Sequence, residues 1–191
     1  KLKPEKVGDT PAVKSGADDT FLLGPPAQLL PPLMEFKERI EDIGLELSMR
    51  KSEWWAASEE TRKIAEEVFK GTGIHPGRHK DETREPTDEH GFGLSVYGCP
   101  LGDEKYTKHF LKCKLQLVRH RITHTANELA QSEAQTLWAF IYYCFTQDAQ
   151  YWAQNLPPSL TKDFLREFDD LVLDTVARCF DTTRETLVNC K

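Results

Sequence analysis

Two adjacent carboxylates, Asp18 and Asp19, precede a short apolar run, Phe21-Leu22-Leu23, that closes at Gly24. Carboxylate oxygens suit magnesium, which takes few protein ligands and shares its shell with phosphates. The chemistry such a pair serves is phosphoryl transfer onto a hydroxyl, with two ions about 3.5–4 Å apart clamping the attacking and leaving oxygens. An Asp pair by itself is an ordinary solvated turn, so its surroundings decide.

A second candidate is electrostatic. From Lys105 to His124 there are six Lys or Arg, three His and no acid. At 100° per residue, Lys105, Lys108, Lys112 and Arg119 fall within about 60° of one another. Four cations on one helical face can follow a nucleic-acid backbone, each phosphate contact adding salt-sensitive affinity. The competing reading is the solvated side of a helix. His120 and His124 have a spacing that ligates zinc on a helix face, but no nearby Cys or Glu completes a set, so they read as solvated or capping. His75, His79 and His90 show no ligand pattern. Trp54 and Trp55 read as packing residues rather than base-stacking ones, and Cys99 has no base placed to make it a nucleophile.

The elements that must position these residues follow from periodicity. Residues 1–15 are polar and form a loose lead-in. The Asp pair sits at a turn leading into a buried strand, which Pro25, Pro26, Pro31 and Pro32 close. Leu30, Leu33, Phe36, Ile40 and Ile43 then mark an amphipathic helix that Gly44 ends. Leu45 to Met49 alternates like a strand. Residues 56–70 form an exposed helix with Ile64, Val68 and Phe69 inward. Residues 71–91, rich in Gly, Pro, His and charge, form a long surface loop. Phe92 to Tyr97 is a strand with its turn at 98–102. Next comes a helix with the stripe Leu111, Leu115, Val118, Ile122 and Leu129. Ser132 with Gln135 resembles a capping box and opens a second helix, whose aromatic run from Trp138 to Trp152 is expected in the core. Asn155-Leu156-Pro157-Pro158 breaks the chain. A third helix from Thr161 turns Phe164, Phe168, Leu171, Val172, Thr175 and Cys179 inward.

The 191 residues suit one domain or one and a half. No apolar run reaches the length of a membrane span, and no signal peptide opens the sequence. Five cysteines without a CxxC pair fit a reducing compartment, so an intracellular place in nucleus or cytoplasm is expected. The net charge of −6 argues mildly against nucleic acid, but it averages a basic stretch with the acidic one from Asp163 to Glu185.

Ala17-Asp18-Asp19-Thr20-Phe21-Leu22-Leu23-Gly24 resembles the third catalytic motif of reverse transcriptases, whose two Asp sit on a hairpin tip. Ile43 to Glu53 is similar to the "GL-x-LN-x-x-K" segment behind that hairpin, and Lys51 matches its lysine. Tyr97-Gly98-Cys99-Pro100-Leu101-Gly102 resembles the primer-grip strand, "LG-x-P-x-G". The later helices resemble the thumb side of enzymes from non-LTR, LINE-like retrotransposons. Over about residues 13–180, the order and spacing of the motifs carry the likeness. Gly16 replaces the aromatic before the Asp pair, Ser48 stands where the family has Asn, and Pro11 to Ser15 is little apolar for a buried palm strand. No earlier Asp-bearing palm motif precedes Asp18.

The resemblance implies an α+β fold, with a partial palm over 16–102, an insertion at about 56–91, and a helical thumb-like region over 103–191. It implies RNA-templated DNA synthesis with magnesium at Asp18 and Asp19. Lys51 would lie near nucleotide phosphates, residues 97–102 would place the primer end, and the partners would be an RNA template and a DNA primer. The chain is expected to be a fragment or remnant, inactive alone. The alternative is a non-enzymatic helical module that binds nucleic acid or a protein.

Overall fold

The computed structural model describes residues 11–16, 19–77, 90–129 and 133–189. The fold is mixed α+β. It divides into two compact units between Arg78 and His79.

The first unit opens on an antiparallel hairpin, β1 (Ala12–Gly16) with β2 (Asp19–Leu23). Its register runs from Ala12 opposite Leu23 to Gly16 opposite Asp19. Helix α1 (Pro26–Asp42) follows. It begins at Pro26, one turn before Leu30, the first residue of the expected stripe, with Pro25 as N-cap. Proline suits the first turn because its missing N–H would have no partner there. Pro31 and Pro32 lie inside the helix, where each removes an i−4 hydrogen bond. Leu29, Leu30 and Leu33 hold that turn by packing on a cluster of Trp54, Ala56, Ala65, Phe69 and Ile74.

The helix ends as expected at Gly44, in a Schellman arrangement. Gly44 has φ +80°, its N–H donates to the Glu41 carbonyl, and the Leu45 N–H donates to the Ile40 carbonyl. This geometry overturns the strand expected from Leu45 to Met49. The Leu45 N–H is used in the cap, and no described strand pairs with residues 45–48. Met49–Lys51 instead forms a single 3₁₀ turn.

Two short strands, β3 (Glu53–Trp54) and β4 (His75–Pro76), pair in parallel around α2 (Glu59–Phe69). Ser58 caps α2 by accepting from the Thr61 N–H at 3.1 Å. Its inner side is Ala65 and Phe69, with Val68 half-buried, whereas Ile64 is exposed. Trp54 is buried and stacks on Phe69 at 6.2 Å, which is the packing role expected of it. Of the loop expected at 71–91, residues 78–89 lie outside the described residues, as does His79.

The second unit opens on the hairpin β5 (Gly93–Val96) and β6 (Cys99–Gly102). Tyr97 and Gly98 form its two-residue turn, with φ +50° and +78°, as a type I′ connection requires. Cys99 to Gly102, expected as a turn, is therefore the returning strand. Helix α3 (Glu104–Leu129) begins at Asp103. One Asp103 oxygen accepts from the Tyr106 N–H at 2.8 Å and the other from the Phe92 N–H at 2.9 Å, so one carboxylate caps the helix and ties in the hairpin.

The expected α3 stripe is inward: Leu111, Leu115, Val118 and Ile122 are buried and Leu129 packs on the same core. That stripe lies along α6 (Pro158–Cys179). Thr161, Phe164, Phe168, Leu171 and Thr175 of α6 are buried, with Val172 and Cys179 beside them. This helix starts at Pro158, one turn before Thr161, whose hydroxyl bonds back to the Pro157 carbonyl.

Between α3 and α6 runs one near-continuous helix, α4 (Ala134–Phe140), a π turn (Ile141–Phe145) and α5 (Thr146–Asn155). Glu133 occupies its N-cap position, and the expected cap Ser132 lies outside the described residues. Its buried residues are Leu137, Ile141, Phe145, Ala149 and Trp152. Steps of four drift about 40° per turn on a regular helix, and the wider π turn takes up that drift. The expectation that the aromatic run from Trp138 to Trp152 is core is corrected. Trp138, Phe140, Tyr142, Tyr143 and Tyr151 are exposed, because a helix packed along one stripe has no neighbour for its other sides. A short α7 (Arg184–Asn189) follows α6, where Arg184 pairs with Asp170 and Asp174.

Candidate nucleic-acid interface

Asp19 is the first residue of β2 and is exposed. Asp18 lies outside the described residues. The hairpin carrying Asp19 pairs with no third described strand, so the expected set of palm strands does not form one sheet among the described residues. The three two-stranded sheets are separate, and β3–β4 is parallel rather than antiparallel. Among the described residues, no group of three or more His, Cys, Asp or Glu converges to hold a metal. Asp19 alone does not fit a magnesium ion, which needs further carboxylate or phosphate oxygens. Lys51 ends the 3₁₀ turn and is exposed. Among the described residues, no ion pair or hydrogen bond joins it to Asp19.

Residues 97–102 are firmly seated. The Tyr151 hydroxyl donates to the Tyr97 carbonyl at 2.7 Å, and the Trp152 indole N–H donates to the Gly98 carbonyl at 3.1 Å. Helix α5 thus clamps the hairpin tip from more than fifty residues away in sequence. At the other end, a Cβ on Gly93 would lie 2.2 Å from the Tyr106 ring, and one on Gly102 would lie 2.6 Å from the Phe92 carbonyl. Only glycine lets this hairpin rest on Tyr106. Pro100 is buried and Leu101 exposed. Cys99 is half-buried, and burial pushes its thiol pKa up, away from the reactive thiolate.

Lys105, Lys108, Lys112 and Arg119 are all exposed on α3, so the structure keeps the strip at the surface. Lys108 pairs with Glu104 one turn back, Nζ to carboxylate 2.6 Å. The hydrogen bond to Glu104 and its charge hold that ammonium pKa above the ordinary lysine value. Glu104 lies just outside the acid-free run, so sequence spacing alone missed it. Lys114 belongs elsewhere, over the Phe110 ring at 5.1 Å. His120 and His124 have their rings 6.4 Å apart and no third metal-ligating neighbour among the described residues. His90, expected in a loop, stacks on His109 at 3.7 Å, and His109 reaches the Cys113 sulfur at 3.5 Å.

No helix among the described residues is long and apolar enough to cross a membrane. Comparison with protein-family models, with curated proteins and with solved structures finds no match.

Proposed function

We propose that this chain grips an RNA–DNA duplex through α3, as a portion of a reverse-transcriptase-type palm and thumb that does not polymerise by itself. One observation carries the reading. Lys105, Lys108, Lys112 and Arg119 project from one exposed face of α3, and among the described residues only Lys108 of the four is ion-paired. Cations spaced along a rigid helix meet successive phosphates without ordering a loop. Further support comes from the hairpin at 93–102, fixed at both ends as a primer-positioning strand must be, and from Asp19 beginning a hairpin strand as in the family motif. Magnesium, RNA template and DNA primer belong to the reading through the family resemblance. Asp18 and Asp19 would need a third oxygen-rich ligand that the described residues do not supply.

The test is binding to a labelled RNA–DNA hybrid across a salt series. Changing Lys108 and Lys112 to Glu removes two phosphate contacts. The log–log salt slope should flatten by roughly 1.4–1.8, at about 0.7–0.9 per contact, and most binding should go. Each new Glu at a helix surface is well tolerated, and the added repulsion within the 104/108 and 108/112 pairs costs about 0.2–0.5 kcal/mol per pair. The matched control is Lys162→Glu with Arg166→Glu, exposed on α6. Equal binding by the two double variants would reject the strip, and the helical module with a protein partner would take its place.

A further inference from the structure

One carboxylate stands within reach of the lysine strip. Lys105, Lys108 and Lys112 follow one another on α3 at steps of three and four, so each repels the next in the unbound helix. Of the four strip cations, Lys108 alone has an acid three or four residues away, Glu104. The structure joins the two, Nζ to carboxylate at 2.6 Å, in the order Glu then Lys that a helix favours. The neighbouring acid, Asp103, is committed to the Phe92 and Tyr106 N–H groups. Beyond Glu104, the charge of Asp163 on α6 acts on the Lys108 ammonium in the same sense, but its carboxylate is held by Arg166 at 2.6 Å. Glu104 is therefore the anion that Lys108 keeps in the unbound chain.

This contact is built to be exchanged. The two side chains are 54% and 68% exposed, so an incoming phosphate can reach the ammonium without disturbing the core. An exposed pair is held weakly, and a phosphate offers the ammonium the same kind of charged oxygen. Once released, Glu104 still lies in the first turn of α3, where the helix dipole favours an anion. The helix therefore survives the exchange.

We infer that Glu104 is a built-in competitor for the strip: it occupies Lys108 as a phosphate would and gives it up when a duplex binds. It thereby relieves the repulsion among the three lysines in the unbound chain, and it holds the affinity of the site below what four free cations would give. The inference rests on the duplex contact proposed for α3.

The experiment is a double-mutant cycle, read by binding of the full chain to the labelled RNA–DNA hybrid across a salt series. Glu104→Gln should tighten binding about two- to fivefold at low salt, the fold-change to which the worth of an exposed pair converts. Its log–log salt slope should steepen by at most about 0.7–0.9, the value of one contact. The reason is that in the parent the released carboxylate takes up a cation as the phosphate gives one up. In a Lys108→Gln background, which binds more weakly, adding Glu104→Gln should bring no gain. Glu128→Gln is the charge control: Glu128 is exposed on α3, about 180° from Arg119 on the helical wheel, and its loss should leave binding unchanged. A gain from Glu104→Gln that persists in full without Lys108, or that Glu128→Gln matches, shows net charge acting alone and overturns the inference. So does unchanged or weaker binding by Glu104→Gln while the Lys108→Glu, Lys112→Glu variant loses binding, a result that leaves the strip itself standing. No hybrid binding by the parent chain, or none lost in the strip variant, removes the duplex reading and the inference with it.

Discussion

One methyl group at Gly93 would decide whether the β5–β6 hairpin can lie on α3. Its Cβ would sit 2.2–2.5 Å from three atoms of the Tyr106 ring, and Tyr106 is almost wholly buried, so the ring has nowhere to go. Gly98, at the other end of the same hairpin, has φ +78° and open space around it. There a side chain meets only backbone strain, about 1–2 kcal/mol. Gly93→Ala should cost at least about 2–3 kcal/mol, as overpacking a tight core does, and Gly98→Ala less. Chemical denaturation of the two variants checks the order. Equal losses would mean the hairpin is not seated on Tyr106. Both glycines belong to the same hairpin, but only the close approach distinguishes a packing glycine from a turn glycine.

At the scale of elements, the hairpin tip and α5 are joined by donors that are far apart in sequence. The Tyr151 hydroxyl is part-exposed, so removing it by Tyr151→Phe should cost about 0.5–1 kcal/mol, the lower range for a hydrogen bond. The loss is local. Amide exchange at 93–102 should speed up several-fold, while that of α6 stays as it was. Unchanged exchange at the hairpin would show that the Trp152 indole and Tyr106 seat it without Tyr151. The clamp matters for any role of residues 97–102 as a strand that positions a nucleic-acid end, since positioning fails when the supporting element moves by about 1 Å. Helix α3 presents one face to the core and carries the exposed lysine strip on another.

At the scale of the whole molecule, the described residues form two cores with no shared member. Ile122, fully buried in the second, should cost about 2–5 kcal/mol when cut to Ala. Trp54, buried in the first, should cost about 3–5 kcal/mol. Peptide-resolved hydrogen exchange distinguishes the cores: Ile122→Ala should accelerate exchange in α3 and α6 and leave α2 unaffected, and Trp54→Ala should do the reverse. Acceleration of both regions by either variant would mean that the units unfold together. The division at Arg78 also sends the 93–102 hairpin with the helices, whereas the family resemblance groups it with the Asp hairpin.

The inner faces of α3 and α6 were legible from residues alone, whereas Phe36 and Ile43 of the α1 stripe and Ile64 of α2 are exposed. Leu111, Leu115, Val118 and Ile122, the Phe164–Phe168–Leu171 face, the stop at Gly44 and the break at Pro157-Pro158 all stand where periodicity and local chemistry put them. These signals act within one or two turns, so a sequence window contains both partners of each interaction. The exposed lysine strip was legible for the same reason, but β2, expected as a buried strand, leaves Asp19, Thr20 and Leu23 exposed because its hairpin pairs with no third described strand. Tertiary structure decided the rest. Whether 45–49 is a strand depends on a pairing partner, and the Schellman cap took its first N–H instead. How many aromatics of the 138–152 run are buried depends on how many neighbours surround that helix. Because the buried stripe is one face wide, the remaining rings face solvent.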